Sequence, residues 1–167
     1  MKKCNVILMR GLAGNIYSRG MDALGAKLAK LPNVDYVTVE EYGSWKSIRD
    51  RIARFRDPTV VGGHSFGANA ATIIAEQLHS RGVRFPLLLS IDPSPYWSWS
   101  LWQSGPSRIG NNVLKTVNMY QTSGLIGRQT LVGVNVSNVV VESSHTEIDD
   151  LALVHDRAIQ EVQKLAA

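Results

Sequence analysis

The stretch of sequence that decides the fold reads Thr59-Val60-Val61-Gly62-Gly63-His64-Ser65-Phe66-Gly67. Its first four residues form an apolar strand pattern, and a helical pattern rich in alanine follows it. Gly63 and Gly67 flank Ser65 in the order G-x-S-x-G. A sharp strand-to-helix turn strains the serine backbone and brings neighbouring backbone close, so it needs small flanking residues. The stretch predicts a nucleophile elbow; the alternative is a serine that caps a helix between incidental glycines.

The rest of the chain repeats this alternation of strand and helix. Apolar runs predict strands at 5–9, 36–39, 59–62, 85–91, 113–120 and 138–141, with a further short strand near 130–136. Amphipathic patterns predict helices that begin after Ser18, after Ser44, at Phe66 and near Thr146. Most strand runs are continuously apolar, which is typical of parallel strands covered on both faces. The alternation therefore predicts an α/β protein whose parallel sheet lies between two layers of helices.

Length and composition narrow the function classes. The 167 residues predict a single domain over 1–167, and 44% hydrophobic with 19% charged residues argues against disorder. A single cysteine, Cys4, excludes an internal disulfide framework and any multi-cysteine zinc site, and we expect no metal or other cofactor. The net charge of +4 comes with no nucleic-acid-binding motif. No apolar run is long enough for a membrane span or a secretory leader, so we expect a cytoplasmic protein.

A serine nucleophile needs a base, and the sequence offers four histidines. His64 precedes Ser65 and should project away from its hydroxyl. His79 lies about 20 Å along the following helix, at 1.5 Å per residue, and His155 lies inside the last helix. His145 follows the last predicted strand, which places it on the same sheet edge as the serine. His145 is therefore the predicted base; the alternative is a surface histidine in a loop.

The histidine in turn needs a carboxylate to orient it. No Asp or Glu occurs between Asp92 and Glu142, and Asp92 ends the strand expected beside the nucleophile strand. Asp92 is the predicted acid, although an Asp-Pro turn with Pro93 would explain the local sequence equally well. Glu142 and Asp149 remain as substitutes.

Two backbone amides are required to stabilise an oxyanion. The amide of Phe66, directly after the nucleophile, is the first candidate. The glycine-containing loop Arg10-Gly11-Leu12-Ala13-Gly14 follows the first strand and should supply the second. We expect Leu12 to be that donor, with Gly11 as the alternative. The other interpretation of this loop is an ordinary glycine-rich turn.

The chain order Ser65, Asp92, His145, carried by the motifs 63–67, 90–93 and 144–145, resembles the α/β-hydrolase superfamily, in particular its small lipase-like and cutinase-like members. The resemblance covers nearly the whole chain. It implies a minimal three-layer fold with a mostly parallel six-stranded sheet in the order 2-1-3-4-5-6 and no large cap domain. In most members the acid follows the second strand after the nucleophile strand. In this chain that strand is predicted at 113–120, and the residues after it, Gln121, Thr122 and Ser123, offer no carboxylate. An acid one strand earlier is known in some lipases.

The resemblance implies a serine hydrolase that cleaves esters or thioesters through an acyl-enzyme. Alternatives are an amidase or peptidase with the same triad, or a non-catalytic binding module with this fold. The Trp/Pro-rich segment 93–112 interrupts the alternation and should lie over the same sheet edge. Its side chains at Trp97, Trp99 and Trp102 either line the substrate site or pack onto the domain. We expect a small-molecule or lipid-like ester substrate, no nucleic acid and no integral membrane segment.

Overall fold

A single parallel sheet organises the chain. The structure, a computed structural model, describes residues 3–94, 108–124 and 126–166. The strands are β1 (Cys4–Arg10), β2 (Val34–Glu41), β3 (Thr59–His64), β4 (Leu88–Ile91), β5 (Thr116–Tyr120) and β6 (Val136–Val140). They lie in the order β2-β1-β3-β4-β5-β6, and every neighbouring pair is parallel. This order confirms the sheet that the resemblance implied.

Helices cover both faces of the sheet. They are α1 (Gly14–Tyr17), α2 (Arg19–Leu28), α3 (Trp45–Ile52), α4 (Phe66–His79) and α5 (Ala152–Gln163). On β1, Val6 and Leu8 belong to the apolar core beneath α2 and α5, whereas Ile7 and Met9 belong to the core beneath α3 and α4. All four side chains are buried because alternate residues of a doubly covered strand meet a core on each face. The predicted three-layer architecture is therefore confirmed.

The topology brings the candidate residues to one edge of the sheet. Strand β3 lies between β1 and β4, where the direction of winding reverses, and parallel strands all end at the same edge. Ser65 follows β3 directly, Asp92 follows β4 directly, and His145 lies in the loop after β6. The loop from Gly11 follows β1. Four segments that are distant in sequence thus converge at the carboxyl ends of the strands.

Three predicted strands are shorter in the structure. Of 85–91 only Leu88–Ile91 is a continuous strand, because Pro86 has no backbone N–H to donate. Phe85 instead forms an isolated bridge to Val113, and the next strand begins only at Thr116. The predicted strand near 130–136 is reduced, within the described residues, to a bridge between Arg108 and Val132.

The predicted start of the last helix near Thr146 is wrong. A short 3₁₀ turn covers Ile148–Asp150, Leu151 is extended, and α5 begins at Ala152. The Asp149 side chain, in the first turn of the predicted helix, is buried beside the amides of Gly20 and Met21 at the start of α2. Burial of this carboxylate against another element thus overrides the local helical pattern.

Candidate active site

The backbone at Ser65 has the strained conformation expected of a nucleophile elbow. Its φ of 56° and ψ of −123° lie outside the regions that non-glycine residues normally occupy. A Cβ atom at Gly63 would stand 2.4 Å from the carbonyl carbon of Gly67, and one at Gly67 would stand 2.1 Å from the carbonyl oxygen of Met9. Both flanking glycines are therefore required by close backbone contact. Strain of this kind costs about 1–3 kcal/mol and depends on the surrounding structure to hold it.

The structure brings Ser65, His145 and Asp92 into one hydrogen-bonded chain. His145 Nε2 lies 2.9 Å from Ser65 Oγ, and His145 Nδ1 lies 2.6 Å from Asp92 Oδ2. A carboxylate only accepts, so Nδ1–H donates to Asp92 and Nε2 is free to accept the serine proton. The Asp92 side chain is fully buried and that of His145 is 16% exposed. This arrangement has the contacts and directions of a Ser-His-Asp triad.

Backbone and side-chain donors orient the Asp92 carboxylate. Oδ1 accepts the amides of Arg128 at 2.8 Å and Gln121 at 3.3 Å, and Oδ2 accepts Nε2 of Gln121 at 3.1 Å. Asp92 itself has a φ of 42°. The alternative acids do not face His145 Nδ1: Glu142 is exposed, and Asp149 lies 3.7 Å from His64.

Sequence reasoning missed the role of Gln121. The residue stands directly after β5 and is completely buried. Its Oε1 accepts the amides of Ser123 and Gly124 at 2.8 and 2.7 Å, so its Nε2 must point towards Asp92. The available signal was its position: Gln121 directly follows the strand that was expected next to the strand of Asp92.

Ser94 is a second residue that the sequence analysis did not single out. Its hydroxyl lies 2.9 Å from Ser65 Oγ and is 2% exposed. The side chain of Asn69, in the first turn of α4, donates to the carbonyl of Ser94 at 3.0 Å and fixes the turn after Asp92. Among the side chains that the structure describes, Ser65 Oγ is thus within hydrogen-bond distance of His145 and Ser94.

Two of the predicted oxyanion residues, Phe66 and Gly11, lie next to Ser65. Phe66 is the first residue of α4, so its amide has no partner within that helix and points out of the positive helix end. A Cβ atom at Gly11 would stand 2.8 Å from the Cβ of Ser65, which places this loop against the nucleophile. The Gly11 amide donates to Ser18 Oγ at 3.1 Å and is occupied. Leu12, 60% exposed, follows it and remains the predicted second donor.

Ser18 and His64 form a buried pair next to His145. Ser18 does not cap α2 with its hydroxyl, which lies 2.8 Å from His64 Nδ1. His64 Nε2 lies 2.8 Å from the backbone carbonyl of His145, and the two imidazole rings are 4.9 Å apart. Burial, followed by repulsion from the charge on His145, lowers the pKa of His64 to about 4. His64 is therefore neutral at pH 7.

The predicted substrate-lining residues Trp97, Trp99 and Trp102 lie outside the described residues. Within the described part of the chain, Phe66 and Tyr42 make a ring contact with centroids 5.5 Å apart beside the nucleophile. No group of three or more metal-ligating side chains occurs among the described residues. None of the helices described is both long and apolar enough to cross a membrane.

Solved structures share this architecture at low sequence identity. A metagenome-derived lipolytic enzyme from the LipS and LipT pair is 10% identical, with a TM-score of 0.68 over 98% of this chain and 94% of that one. Human thioesterase 2 is 11% identical, with a TM-score of 0.62 over 99% and 98%. The RedJ thioesterase of Streptomyces coelicolor is 12% identical, with a TM-score of 0.60 over 98% and 85%.

Sequence comparison gives no match: no protein-family model and no curated protein matches this chain. The structural likeness, together with the order of the six strands, shows that the protein has the α/β-hydrolase fold. The resemblance inferred from the three motifs is thereby confirmed for the fold.

Proposed function

We propose that the protein is a serine hydrolase that cleaves ester or thioester bonds through an acyl-enzyme. Ser65 is the nucleophile, His145 the base and Asp92 the residue that orients it. The observation that carries the proposal is the continuous chain from Ser65 Oγ to His145 Nε2 at 2.9 Å and from His145 Nδ1 to Asp92 Oδ2 at 2.6 Å. The likeness to thioesterases and a lipolytic enzyme supports this class of bond.

In acylation, Ser65 Oγ attacks the carbonyl carbon while its proton passes to His145 Nε2. The negative charge that develops on the carbonyl oxygen is stabilised by the amides of Phe66 and Leu12. His145 then returns the proton to the departing alcohol or thiol, and Ser65 retains the acyl group. The Nδ1–H bond to Asp92 holds the imidazole ring in the correct tautomer throughout.

Deacylation repeats these steps with water. His145 Nε2 takes a proton from the water, the hydroxide oxygen bonds to the acyl carbon, and the Ser65–acyl bond breaks. The proton then returns to Ser65 Oγ and the carboxylic acid leaves. In every step His145 transfers the proton and the backbone amides donate hydrogen bonds to the oxyanion. No step changes an oxidation state.

Covalent labelling tests the proposal directly. We expect a fluorophosphonate probe to add one phosphonyl group per chain, with the modified peptide mapping to Ser65. Ser65→Ala should remain folded and unlabelled, and its hydrolysis should fall by at least about 10⁴. The matched control is Ser80→Ala, an exposed serine at the end of α4, which should label like the wild type. An unlabelled wild type would favour a non-catalytic binding module.

The substrate preference can be measured from the hydrolysis rates of substrates that differ in one feature at a time. We propose a small-molecule or lipid-like acyl ester or thioester as the substrate. Oxygen esters, thioesters and amides of the same acyl group, each at graded chain length, separate the bond type from the acyl length. A preference for amides would instead assign the site to an amidase or peptidase.

A further inference from the structure

His64 makes two hydrogen bonds that together define its protonation. The carbonyl of His145 only accepts, so the Nε2 atom 2.8 Å away carries a proton. The other nitrogen of the neutral ring, Nδ1, accepts from the Ser18 hydroxyl at 2.8 Å. Ser18 Oγ in turn accepts the amide of Gly11 at 3.1 Å. For a neutral His64 ring, the donors and acceptors of this chain match when the proton is on Nε2.

This hydrogen-bond chain joins two catalytic loops. Gly11 belongs to the loop after β1 that we propose to hold the oxyanion, and His145 belongs to the loop after β6 that holds the base. Ser18 lies 46 positions before His64 in the sequence, and His145 lies 81 positions after it. His64 itself is 1% exposed, so water does not compete for its partners.

A positive charge at His64 would oppose the reaction. The rings of His64 and His145 are 4.9 Å apart, and His145 becomes an imidazolium when it takes the proton of Ser65. Two adjacent positive charges disfavour each other. The titratable groups around His64 in the described chain are His145, Asp92 and Asp149, the last with Oδ1 3.7 Å from Nδ1.

We infer that His64 is a positioning residue that acts as the neutral Nε2–H tautomer, tying the oxyanion loop to the loop of His145. The inference rests on the proposed function, because it assigns His64 a role in the same site. Its effect is on the placement of His145 Nε2 and of the Gly11 loop, both of which contact Ser65. The residue does not itself touch the reacting atoms.

Three variants separate positioning from packing. His64→Phe keeps an aromatic ring and removes both hydrogen bonds. His64→Gln keeps an amide that can donate to the His145 carbonyl. The control His79→Phe replaces an exposed histidine at the other end of α4. Each is assayed well below its own unfolding temperature, with kcat and KM measured on one ester.

We expect His64→Phe to lower kcat roughly 10- to 100-fold, because small displacements of catalytic groups cost this much. KM should stay within about threefold, since ground-state binding is untouched. His64→Gln should recover several-fold in kcat, and His79→Phe should match the wild type. If the wild type labels at Ser65 while folded His64→Phe keeps the full kcat, the inference is overturned and the proposed function stands.

The tautomer is tested without any activity. In ¹⁵N NMR spectra at pH 7, the ring nitrogens of His64 should show a protonated Nε2 and an unprotonated Nδ1. An imidazolium or an Nδ1–H tautomer at this pH would contradict the inference. The measurement is made on the wild type, so it stands even if His64→Phe fails to fold.

Ser18→Ala gives an independent readout. Loss of the hydroxyl leaves Nδ1 of the neutral His64 ring without its donor, which disfavours the neutral ring and raises the pKa of His64 from its depressed value. The ¹⁵N NMR titration of the His64 ring should therefore have its midpoint at a higher pH in Ser18→Ala than in the wild type. The His79 titration serves as the internal control and should be unchanged. An unchanged His64 midpoint in Ser18→Ala would overturn the inference.

Discussion

The backbone of Gly127 lies directly against the carboxylate of Asp92: a Cβ atom at position 127 would stand 2.1 Å from Asp92 Oδ2. Gly127 also has a φ of +84°, which side chains rarely tolerate. The next amide, of Arg128, donates to Asp92 Oδ1 at 2.8 Å. A short turn that is distant in sequence from every triad residue thus forms the wall that orients the acid.

Replacing Gly127 should therefore affect the triad as well as the backbone. We expect Gly127→Ala to lower kcat at least about 10-fold, because the new methyl group displaces the Asp92 carboxylate. Gly82→Ala is the matched control: its φ is +72°, but nothing lies within 4 Å of the added Cβ. It should lose about 1 kcal/mol of unfolding free energy and no activity. Equal kcat values for the two variants would refute the contact argument.

The acid can be tested by an isosteric change. Asp92→Asn should keep the fold and lower kcat by roughly 10³ to 10⁴, because the amide can hold the wrong imidazole tautomer. Glu142→Gln makes the same change of charge at an exposed position and should have little effect. Steady-state kinetics on a single ester measure both. An active Asp92→Asn would leave Asp92 as a turn residue only.

Ser94 should contribute to the reactivity of the nucleophile. Because the Ser65 proton is directed to His145, the Ser94 hydroxyl 2.9 Å away donates to Ser65 Oγ. That hydrogen bond stabilises the oxygen as it loses its proton, so Ser94→Ala should lower the rate of phosphonylation by fluorophosphonate roughly 10-fold. Ser80→Ala again serves as the control. A wild-type rate in Ser94→Ala would show that the contact has no chemical role.

The pH dependence of stability should reveal Asp149. Burial, followed by the nearby charge of Asp150, raises the pKa of Asp149 to about 7, from 3.8 for an ordinary Asp. Between these values only the folded state binds the proton, so Asp149 contributes stability below pH 3.8 that is lost as the pH rises to 7.

Asp149→Asn should remove this loss. Relative to the wild type, its unfolding free energy in urea should improve by on the order of 2 kcal/mol between pH 5 and pH 8. Asp156→Asn, at an exposed position on α5, should show no such relative gain. A constant difference between Asp149→Asn and the wild type at both pH values would mean that Asp149 titrates alike in the folded and unfolded states.

Local patterns in the sequence predicted much of the fold and several residues of the candidate site. The alternation of apolar runs and amphipathic segments predicted the layers and the parallel sheet, because burial on one or two faces imposes a period on the residues themselves. Gly63-His64-Ser65-Phe66-Gly67 predicted the strained turn, since steric exclusion at the two glycines acts within a few residues. The absence of acids between Asp92 and Glu142 singled out Asp92 before any geometry was known.

The contacts around Ser65, Asp92 and His145 could be found only from the tertiary structure. These contacts join residues at the ends of different strands. Asp92 contacts Gln121 and Gly127, Ser65 contacts Ser94, and His64 contacts the carbonyl of His145. They depend on the register of neighbouring strands and on where each loop returns, which no local period encodes. The start of α5 at Ala152 has the same origin, because the Asp149 carboxylate is buried beside α2 and the helix begins only after it.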